Sequence, residues 1–501
     1  MSYQENYGQS TSILGCPSIE LPGKNSKYED STPSKPDRIA VCGGRKKHEE
    51  ILKDLLKEFK PLNIREYLNL PTDLKEKQKY IVVAVVKHLL EQAKKKQWNL
   101  AKVHDYIYLF NGSFWQQLEK DTLKSFLGKV AIQIEYADYE ALHYQFKDML
   151  LKQFLTDAHL PSPPVEQDKI VINLQNGTME FTKDGWKMRD FNPDDFITYQ
   201  LPFIYSPDSV CPLFDKYLLQ VLPDEESRKV LQEFSGYIFT NMNLEKLLML
   251  VGNGSNGKSV FFNVISALVG RENILNYSMG LFSHPYQRAK LTDVLLNYSS
   301  EKGTDLEVDT FKALISGEPL QAREPYGKSF TIRNKVRFII NTNELPRETE
   351  QSEAYFRRFL IVPFEVTIKE DQRDISLADK IIKNELSGVF NWLLRGLDRI
   401  ITQRGFTDCR KSKLILADFR KQSDNVGLFI DEFKYIPSGK NKIPLSDLYF
   451  RYRNFCQDEG FKSLGKNKFS VRLEKKGFEK DRLNNGSIAF CLESTTGTYN
   501  P

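Results

Sequence analysis

Apolar residues recur at different spacings in different parts of the chain, and the first third is mostly helical in pattern. Residues 1–38 are rich in Ser, Pro, Gly, Asn and Lys without periodicity, which predicts a disordered tail over residues 1–40. From Lys46 to about Leu155, apolar residues fall on one face at helical spacing. We expect helices over Glu49–Phe59, Lys77–Lys95, Thr122–Ile134 and Ala141–Leu155.

Short alternating runs around turn residues predict strands in and after this region. Tyr106–Phe110 and Ser113–Gln117 flank Asn111-Gly112, which predicts a hairpin with an Asn-Gly turn. Three more short strands follow, and residues 211–241 return to a helical pattern. The three strands are Ile170–Leu174, Thr178–Phe181 and Gly185–Met188.

The middle of the chain alternates buried strands with helices, which is typical of an α/β fold. Lys246–Val251 is an apolar run, and Val260–Val269 has helical spacing and is followed by Gly270, a residue suited to end a helix. Further strands and one long helix follow in sequence. We expect strands over Asp293–Ser300, Val336–Ile340 and Phe359–Phe364, and a helix over Leu377–Ile401.

The segment between the first of these strands and its helix is a complete phosphate-binding loop, G-x-x-x-x-G-K-[ST]. Backbone N–H groups in such a loop and at the helix N-terminus cradle phosphate oxygens. The lysine reaches the β- and γ-phosphates, and the hydroxyl that follows it binds Mg²⁺. We therefore predict that the chain binds a nucleoside triphosphate with Mg²⁺ at Gly252, Asn253, Gly254, Ser255, Asn256, Gly257, Lys258 and Ser259.

Composition fits a multi-domain protein of the cytoplasm, with a bacterial host cytoplasm as our expectation. The 501 residues suggest about three domains, and the net charge of +5 alone indicates no partner. The six cysteines lie far apart and include no Cys-x-x-Cys pair, so they suggest neither a zinc site nor a disulfide framework. The most apolar short run, Ile81–Val86, is too short to span a bilayer. We expect no membrane association.

Polar residues follow the later strands, where ligands bind in open α/β sheets. Glu301 follows one strand and could hold Mg²⁺ and polarise water, or be an exposed glutamate without a role. Asn343 follows the next and could orient that water. Arg357 and Arg358 precede the last strand and suit an arginine finger, although a surface salt-bridge pair would give the same pattern.

In order and spacing, these motifs resemble those of superfamily 3 helicases, in particular the helicase portion of satellite-phage and poxvirus-type primase–helicases. The resemblance is specific from Gly252 to Phe364 and looser outside that range. It implies an AAA+-like fold, ATP with Mg²⁺, a homo-hexameric ring and 3′ to 5′ movement on single-stranded DNA. By motif, Lys258 and Ser259 correspond to Walker A, Glu301 to the Walker B acid and Asn343 to sensor 1. Many relatives have paired acids at Walker B, whereas Glu301 follows two serines.

A second expected element is a hairpin over Glu324–Arg333 whose tip carries Lys328. It resembles the family's pre-sensor hairpin, which projects into the central channel. A lysine from each subunit would then contact a DNA phosphate in turn, with no dependence on base sequence. Any surface hairpin, however, can carry a lysine.

The C-terminal segment is locally basic. From Lys440 to Arg482, twelve Lys and Arg stand against six Asp and Glu, a local net charge of +6, whereas the whole chain carries +5. A helix over Gly465–Lys476 would turn Phe469 and Leu473 inward. A hairpin wing over Phe478–Glu493 follows it, which favours a winged helix. A basic domain for protein contacts is the alternative. The predicted DNA-binding residues of the recognition helix are Lys468, Arg472 and Lys475.

Residues 1–105 contain no Asp-x-Asp or Asp-x-Glu pair on a strand, so we predict a helicase without a primase domain. Its expected partners are single-stranded and forked DNA, and a separate primase or replication initiator. The alternative functions are an origin-binding initiator or loader that does not unwind DNA, and a nucleotide-dependent scaffold. The predicted domains are a tail (1–40), a mainly helical accessory domain (41–165), an α+β region (166–240), the ATPase core (241–375), a helical connector (376–431) and a winged-helix-like domain (432–501).

Overall fold

The protein is a mixed α/β structure with a parallel sheet and a helical N-terminal region. The predicted tail, residues 1–40, and the predicted acid Glu301 lie outside the residues described here. A computed structural model describes residues 48–75, 77–103, 106–159, 170–182, 185–292, 294–299, 307–325, 327–333, 335–345 and 352–495.

The N-terminal region, residues 48–159, packs helices beside a three-stranded antiparallel sheet. Its four main helices bury one apolar core, and all four were predicted from apolar spacing. The predicted hairpin is present, but its turn is longer than the expected Asn-Gly pair. Phe110 pairs with Trp115, which leaves residues 111–114 as the loop. The elements are α1 (His48–Leu56), α2 (Ile64–Tyr67), α3 (Gln78–Lys95), β1 (Leu100–Val103), β2 (Tyr106–Phe110), β3 (Trp115–Leu118), α4 (Lys120–Gln133), α5 (Asp138–Ala141) and α6 (Tyr144–Asp157).

A second antiparallel sheet and two helices connect this region to the parallel sheet. The three predicted strands form the sheet in chain order, and the predicted helical stretch is two helices. Asp224 begins the second helix, because its carboxylate accepts a hydrogen bond from the Ser227 amide at 2.8 Å. The elements are β4 (Ile170–Leu174), β5 (Gly177–Thr182), β6 (Gly185–Arg189), α7 (Pro212–Val221) and α8 (Glu225–Tyr237).

Five parallel strands form the central sheet, and helices cover both of its faces. Side chains alternate along the first strand, so Leu248 and Leu250 enter one core while Leu247 and Met249 enter the other. The elements are β7 (Leu247–Val251), α9 (Lys258–Val269), β8 (Ile274–Leu275), α10 (Pro285–Ala289), β9 (Leu296–Ser299), α11 (Val308–Ser316), β10 (Pro319–Arg323), β11 (Ser329–Arg333), β12 (Arg337–Thr342), α12 (Glu353–Phe356) and β13 (Phe359–Pro363). The strand order across the sheet is β13-β7-β12-β9-β8.

β10 and β11 form a separate two-stranded hairpin. The prediction placed its first arm at Glu324, which is wrong by several residues. Arg323 pairs with Ser329, so Glu324 lies in the connecting loop together with Lys328. The sequence marks this arm poorly, because the strand is mostly exposed and buries only Ala322, with Leu320 partly buried.

A long helix, α13 (Leu377–Gln403), packs against α8, α9 and α7. The contact with α8 is close, since a Cβ on Gly396 would lie 2.4 Å from the Gln232 carbonyl oxygen. Glycine is therefore needed where the two helix backbones approach. None of the helices within the described ranges is long and apolar enough to cross a membrane. Two shorter helices follow, α14 (Arg410–Ser423) and α15 (Asn425–Glu432).

The C-terminal region has its own apolar core, which includes Val426 and Phe429 of α15. This core therefore begins before the predicted boundary at residue 432. A three-stranded antiparallel sheet packs with two helices, and the predicted wing is the pair β15–β16. The elements are β14 (Tyr435–Pro444), α16 (Leu445–Asp458), α17 (Lys466–Lys475), β15 (Glu479–Arg482) and β16 (Ile488–Ser494).

Candidate nucleotide-binding site

The parallel register brings the ends of three strands to one edge of the central sheet. Val251 of β7 lies between Thr342 of β12 and Pro363 of β13. On the far side of β12, Ile340 pairs with Ser299, the last residue of β9. The carboxyl ends of these strands therefore lie side by side, at the edge where open α/β sheets bind ligands.

The glycine-rich loop between β7 and α9 occupies this edge, and two of its glycines are required by the backbone. Gly257 has a φ of +87° and directly precedes α9, a conformation that other residues rarely adopt. Gly252 donates its amide to the Thr342 carbonyl at 3.2 Å. A Cβ at Gly252 would lie 2.3 Å from the Phe364 carbonyl oxygen, so a side chain does not fit there.

Lys258, the first residue of α9, is folded into the loop that it follows. Its side chain is largely buried, with 5% of the residue exposed, and its Nζ donates a hydrogen bond to the Gly252 carbonyl. Burial lowers the pKa of Lys258 from its ordinary value. The next residue, Ser259, is exposed in the first turn of α9. A cation and a hydroxyl thus lie together at the helix N-terminus.

The remaining loop residues divide into exposed and structural positions. Asn253, Gly254 and Ser255 are exposed, whereas Asn256 is buried. The Asn256 amide nitrogen donates to the Asn253 carbonyl at 2.5 Å and to the Phe364 carbonyl at 3.1 Å. Asn256 therefore holds the loop closed against the segment after β13.

Two further side chains contact the loop and were not found from the sequence. The Tyr217 hydroxyl of α7 donates to the Gly257 carbonyl at 2.8 Å. Arg373 donates from Nη2 to the Ser255 hydroxyl at 2.5 Å, and the Ile368 amide donates to the Ser255 carbonyl at 2.9 Å. No sequence motif marks these residues, because the fold alone brings them to the loop.

Of the polar residues predicted at neighbouring strand ends, one is described and one is not. Asn343 follows β12 and is exposed. Glu301 follows β9 at a position outside the described residues. A third residue at this edge was missed: Asn341 of β12 has a buried Oδ1 with no hydrogen-bond partner among the described residues. The sequence could have indicated this residue, because Asn341 and Asn343 form an Asn-x-Asn pattern at the end of the predicted strand.

The two arginines lie at the opposite edge of the sheet from the glycine-rich loop. The Leu247 amide at the start of β7 donates to the Arg358 carbonyl at 2.9 Å, so the length of a five-residue strand, roughly 16 Å, separates the pair from Gly252. Neither arginine is therefore near the loop of its own chain.

The environments of the two arginines differ sharply. The Arg357 side chain is 55% exposed and pairs with Glu245 at 2.8 Å, while the Arg358 side chain is 5% exposed. Arg358 donates to the Ser316 hydroxyl at 2.5 Å and to the Ala354 carbonyl. Burial lowers the pKa of Arg358 from its ordinary value. Arg358 thus ties the start of β13 to α11 and α12. Of the two, only Arg357 is exposed, and both pair with Glu245, which is the salt-bridge arrangement that the sequence left as the alternative.

The predicted DNA-contacting cations lie on two separate surfaces. Lys328 is exposed in the loop of the β10–β11 hairpin. On α17, Phe469 and Leu473 are buried as predicted, and Lys468 and Lys475 are exposed. Arg472 is half-buried on the same helix.

Three family models match separate parts of the chain. Residues 86–223 match the family described as D5 N terminal like. Residues 250–358, which include the glycine-rich loop, match a family of unknown function, DUF5906. Residues 421–492 match the family described as poxvirus D5 protein-like.

Two viral relatives carry helicase names. A protein of Invertebrate iridescent virus 3 is 20% identical over 340 residues, which are 58% of this chain and 35% of that protein. A protein of Invertebrate iridescent virus 6 is 25% identical over 241 residues, 43% of this chain and 24% of that protein. The chain therefore spans about a third of the length of the first relative and about a quarter of the length of the second.

Among solved structures, the apo form of the NrS-1 C-terminal region is similar over 82% of this chain and 99% of that one, with a TM-score of 0.45 and 14% identity. The two families matched before and after the central sheet in the sequence are both of the D5 type. The two viral relatives are named as helicases. The chain is therefore similar, in separate parts of its length, to primase–helicases of the phage and poxvirus type.

Proposed function

We propose that the chain is an ATP-dependent DNA helicase of superfamily 3, with an AAA+-like P-loop core between an accessory domain and a winged-helix domain. The observation that carries the proposal is the glycine-rich loop between β7 and α9, with Lys258 folded into it. This loop fits a triphosphate, because Gly252 and Gly257 keep its backbone free of side chains and it leads into the N-terminus of α9, the end of a helix that favours phosphate.

In this proposal, each residue of the site has a separate task. The amides of residues 252–258 bind the phosphates, and Lys258 leaves the Gly252 carbonyl for the β- and γ-phosphates. Ser259 and Glu301 hold Mg²⁺, which neutralises phosphate charge when bound. Asn343 orients the attacking water.

The position of the arginines supports a ring of identical subunits, for which we propose six. A finger must reach a phosphate, and Arg357 lies at the edge of the sheet away from the loop of its own chain. An exposed arginine in that position can serve a neighbouring subunit's nucleotide. We therefore assign the finger to Arg357, and a structural role to Arg358.

DNA is the proposed substrate, with Lys328 gripping one strand and α17 binding duplex DNA. The exposed Lys328 and the exposed lysines of α17 lie on different elements, so they can act independently. Movement is proposed to run 3′ to 5′, as in the superfamily that the motifs resemble. A primase or replication initiator is the expected partner.

Strand displacement on tailed duplexes tests the proposal directly. The wild-type chain with ATP and Mg²⁺ should displace a strand from a duplex with a 3′ tail. Lys258→Ala should displace none. Hydrolysis of ATP without displacement on any tailed substrate would contradict the helicase assignment.

One observation favours a second candidate function, an initiator or loader that assembles on an origin without unwinding. The C-terminal region carries its basic helix on a core of its own, as a duplex-binding module requires. An initiator would bind one duplex sequence in preference to others and would show no strand displacement, which the same assay distinguishes.

A further inference from the structure

The hairpin β10–β11 packs on the core of the protein through its arms, with Leu320 and Phe330 partly buried against that core. In each five-residue arm only one residue is buried, Ala322 in β10 and Ile332 in β11. Arg288 of α10 adds one contact, a hydrogen bond from its Nε to the Gln321 carbonyl at 2.7 Å. Within the loop, the Gly327 amide donates to the Glu324 carbonyl at 2.9 Å, and Arg323 Nε donates to the Gly327 carbonyl at 3.0 Å. These bonds shape the loop, but they do not fix it relative to the rest of the protein.

Tyr106 of the N-terminal region supplies such contacts on both sides of the hairpin loop. Its hydroxyl donates to Glu324 Oε1 at 2.8 Å, and Glu324 directly follows β10. Its ring meets the Phe330 ring of β11 edge-on, with centroids 6.2 Å apart and an angle of 86°. Lys290 Nζ lies 3.2 Å from Glu324 Oε2 and holds the carboxylate from the other side. One tyrosine thus joins two parts of the chain that are 218 residues apart.

A groove of about 700 Å³ lies beside this contact, with walls from both parts of the chain. Tyr106, Lys120, Lys290, Lys328 and Phe330 are among its lining residues. The aromatic rings of this groove can stack on the bases of a single strand of nucleic acid, whereas its three lysines are matched by three carboxylates, one of which, Glu324, pairs with Lys290. Glu119 and Asp121 flank Lys120 and offset its charge. Phosphate contact is therefore assigned to Lys328, which makes no ion pair with any residue that the structure describes.

We propose that Tyr106 is a positioning residue for the hairpin, through which the N-terminal region fixes Lys328 at the mouth of a groove for single-stranded nucleic acid. The inference deepens the proposed function and rests on it for the identity of the ligand. The contact of Tyr106 with Glu324 and Phe330 does not depend on the identity of the ligand. The hydroxyl bond to Glu324 and the ring contact with Phe330 hold the loop on both of its sides. The loop is therefore already ordered before nucleic acid binds, and binding does not have to supply the free energy of ordering it.

Hydrogen exchange tests the contact without reference to function. Tyr106→Phe removes the hydroxyl but keeps the ring, and should speed amide exchange in residues 319–333 by about 3- to 10-fold, the size expected for one hydrogen bond. Glu324→Ala removes the same bond and also the pair with Lys290, so its effect should be at least as large. Adding Tyr106→Phe to Glu324→Ala should change the exchange little further, because the bond that they share is already broken. Tyr139→Phe, at a 78% exposed tyrosine of the same region, is the control and should change nothing. Unchanged hairpin exchange in Tyr106→Phe, or fully additive effects, would overturn the proposal.

ATPase stimulation by a poly-dT oligonucleotide tests the positioning role in the same variants. Tyr106→Phe should raise the half-saturating oligonucleotide concentration by about 3- to 10-fold and leave the saturated rate unchanged, since a mispositioned loop weakens binding more than turnover. If Tyr106→Phe lowers the saturated ATPase rate and leaves the half-saturating oligonucleotide concentration unchanged, Tyr106 is not a positioning residue. If the wild-type ATPase does not respond to the oligonucleotide, the proposed function fails, while the exchange result still decides whether Tyr106 fixes the hairpin.

Discussion

The guanidinium of Arg337 lies over the ring of Tyr237, with its Cζ 3.7 Å from the ring centroid. Arg337 begins β12 and is buried, and burial lowers its pKa from the ordinary value. It donates to the carbonyls of Thr240 at 3.0 Å and Met242 at 2.6 Å, just beyond the end of α8. These carbonyl oxygens, together with the ring face, replace the water and the carboxylate that a buried cation otherwise requires. The pair therefore joins α8 to the central strand that ends at Asn341 and Thr342.

Arg337→Ala should destabilise the protein by about 3–5 kcal/mol, because it leaves a cavity and removes the donors for a buried carbonyl at Thr240 and a partly buried one at Met242. The measurement is the urea midpoint of unfolding followed by far-UV circular dichroism. Arg333→Ala, at an exposed position four residues earlier, is the control and should stay within about 0.5 kcal/mol of wild type. Equal midpoints for the two variants would show that Arg337 is not a structural residue.

Tyr217→Phe should weaken ATP binding by about 3- to 10-fold, the effect of removing one hydrogen bond at the Gly257 carbonyl. Burial raises the pKa of Tyr217, so its hydroxyl stays protonated and remains a donor at neutral pH. The matched control is Tyr199→Phe, at a half-buried tyrosine that also donates to a backbone carbonyl, that of Val171, 3.1 Å away. Calorimetric titration with a non-hydrolysable ATP analogue measures both variants. If Tyr217→Phe and Tyr199→Phe bind the ATP analogue with equal affinity, Tyr217 does not stabilise the loop for nucleotide binding.

Local motifs predicted the strand, the loop and the helix around Lys258, whereas the contacts that support the loop come from distant parts of the chain. The strand, loop and helix around Lys258 are contiguous, so apolar spacing and two glycines were sufficient to place them. Tyr217 and Arg373 reach the loop from 40 and 118 residues away, and nothing in their local sequence indicates the contact. Neighbouring arginines look equivalent in sequence, yet the turn after α12 exposes Arg357 and buries Arg358. The hairpin was misplaced because its arms carry few apolar residues to mark their alternation.

Lys258→Ala and Glu301→Gln should both abolish ATP hydrolysis, for different reasons. Loss of Lys258 removes positive charge from the β/γ-phosphates and should weaken binding as well. Loss of the Glu301 charge should leave ATP bound and unhydrolysed, since the carboxylate acts in the chemical step. Fluorescent-nucleotide binding and phosphate release, measured on both variants, separate the two roles. If both variants lose binding equally, the assignment of separate roles is wrong.

Arg357→Ala should abolish hydrolysis in the ring and regain part of it when mixed with Lys258→Ala subunits. Each hybrid interface can then combine an intact loop from one subunit with an intact finger from the other. Loss of a finger costs a factor of about 10³–10⁵ in rate where measured, so partial recovery stands clear of background. Arg358→Ala should instead lower the urea midpoint, because it breaks buried bonds to Ser316 and Ala354. Absence of recovery at every mixing ratio, with co-assembly shown by cross-linking, would exclude Arg357 as a finger.

The last prediction separates the proposed motor contact from the proposed duplex contact. Lys328→Ala should retain ATP binding and assembly but lose DNA-stimulated hydrolysis and unwinding, because the hairpin loop is a separate element from the glycine-rich loop. Changing Lys468, Arg472 and Lys475 together to Ala should weaken duplex binding. The slope of log binding constant against log salt concentration should also become less steep, by about one for each DNA phosphate that the helix no longer neutralises. Unwinding of a preloaded tailed substrate should survive that triple change. Both activities are measured on both variants at two salt concentrations. If Lys328→Ala unwinds normally while the triple variant does not, α17 is the motor contact and the hairpin is not.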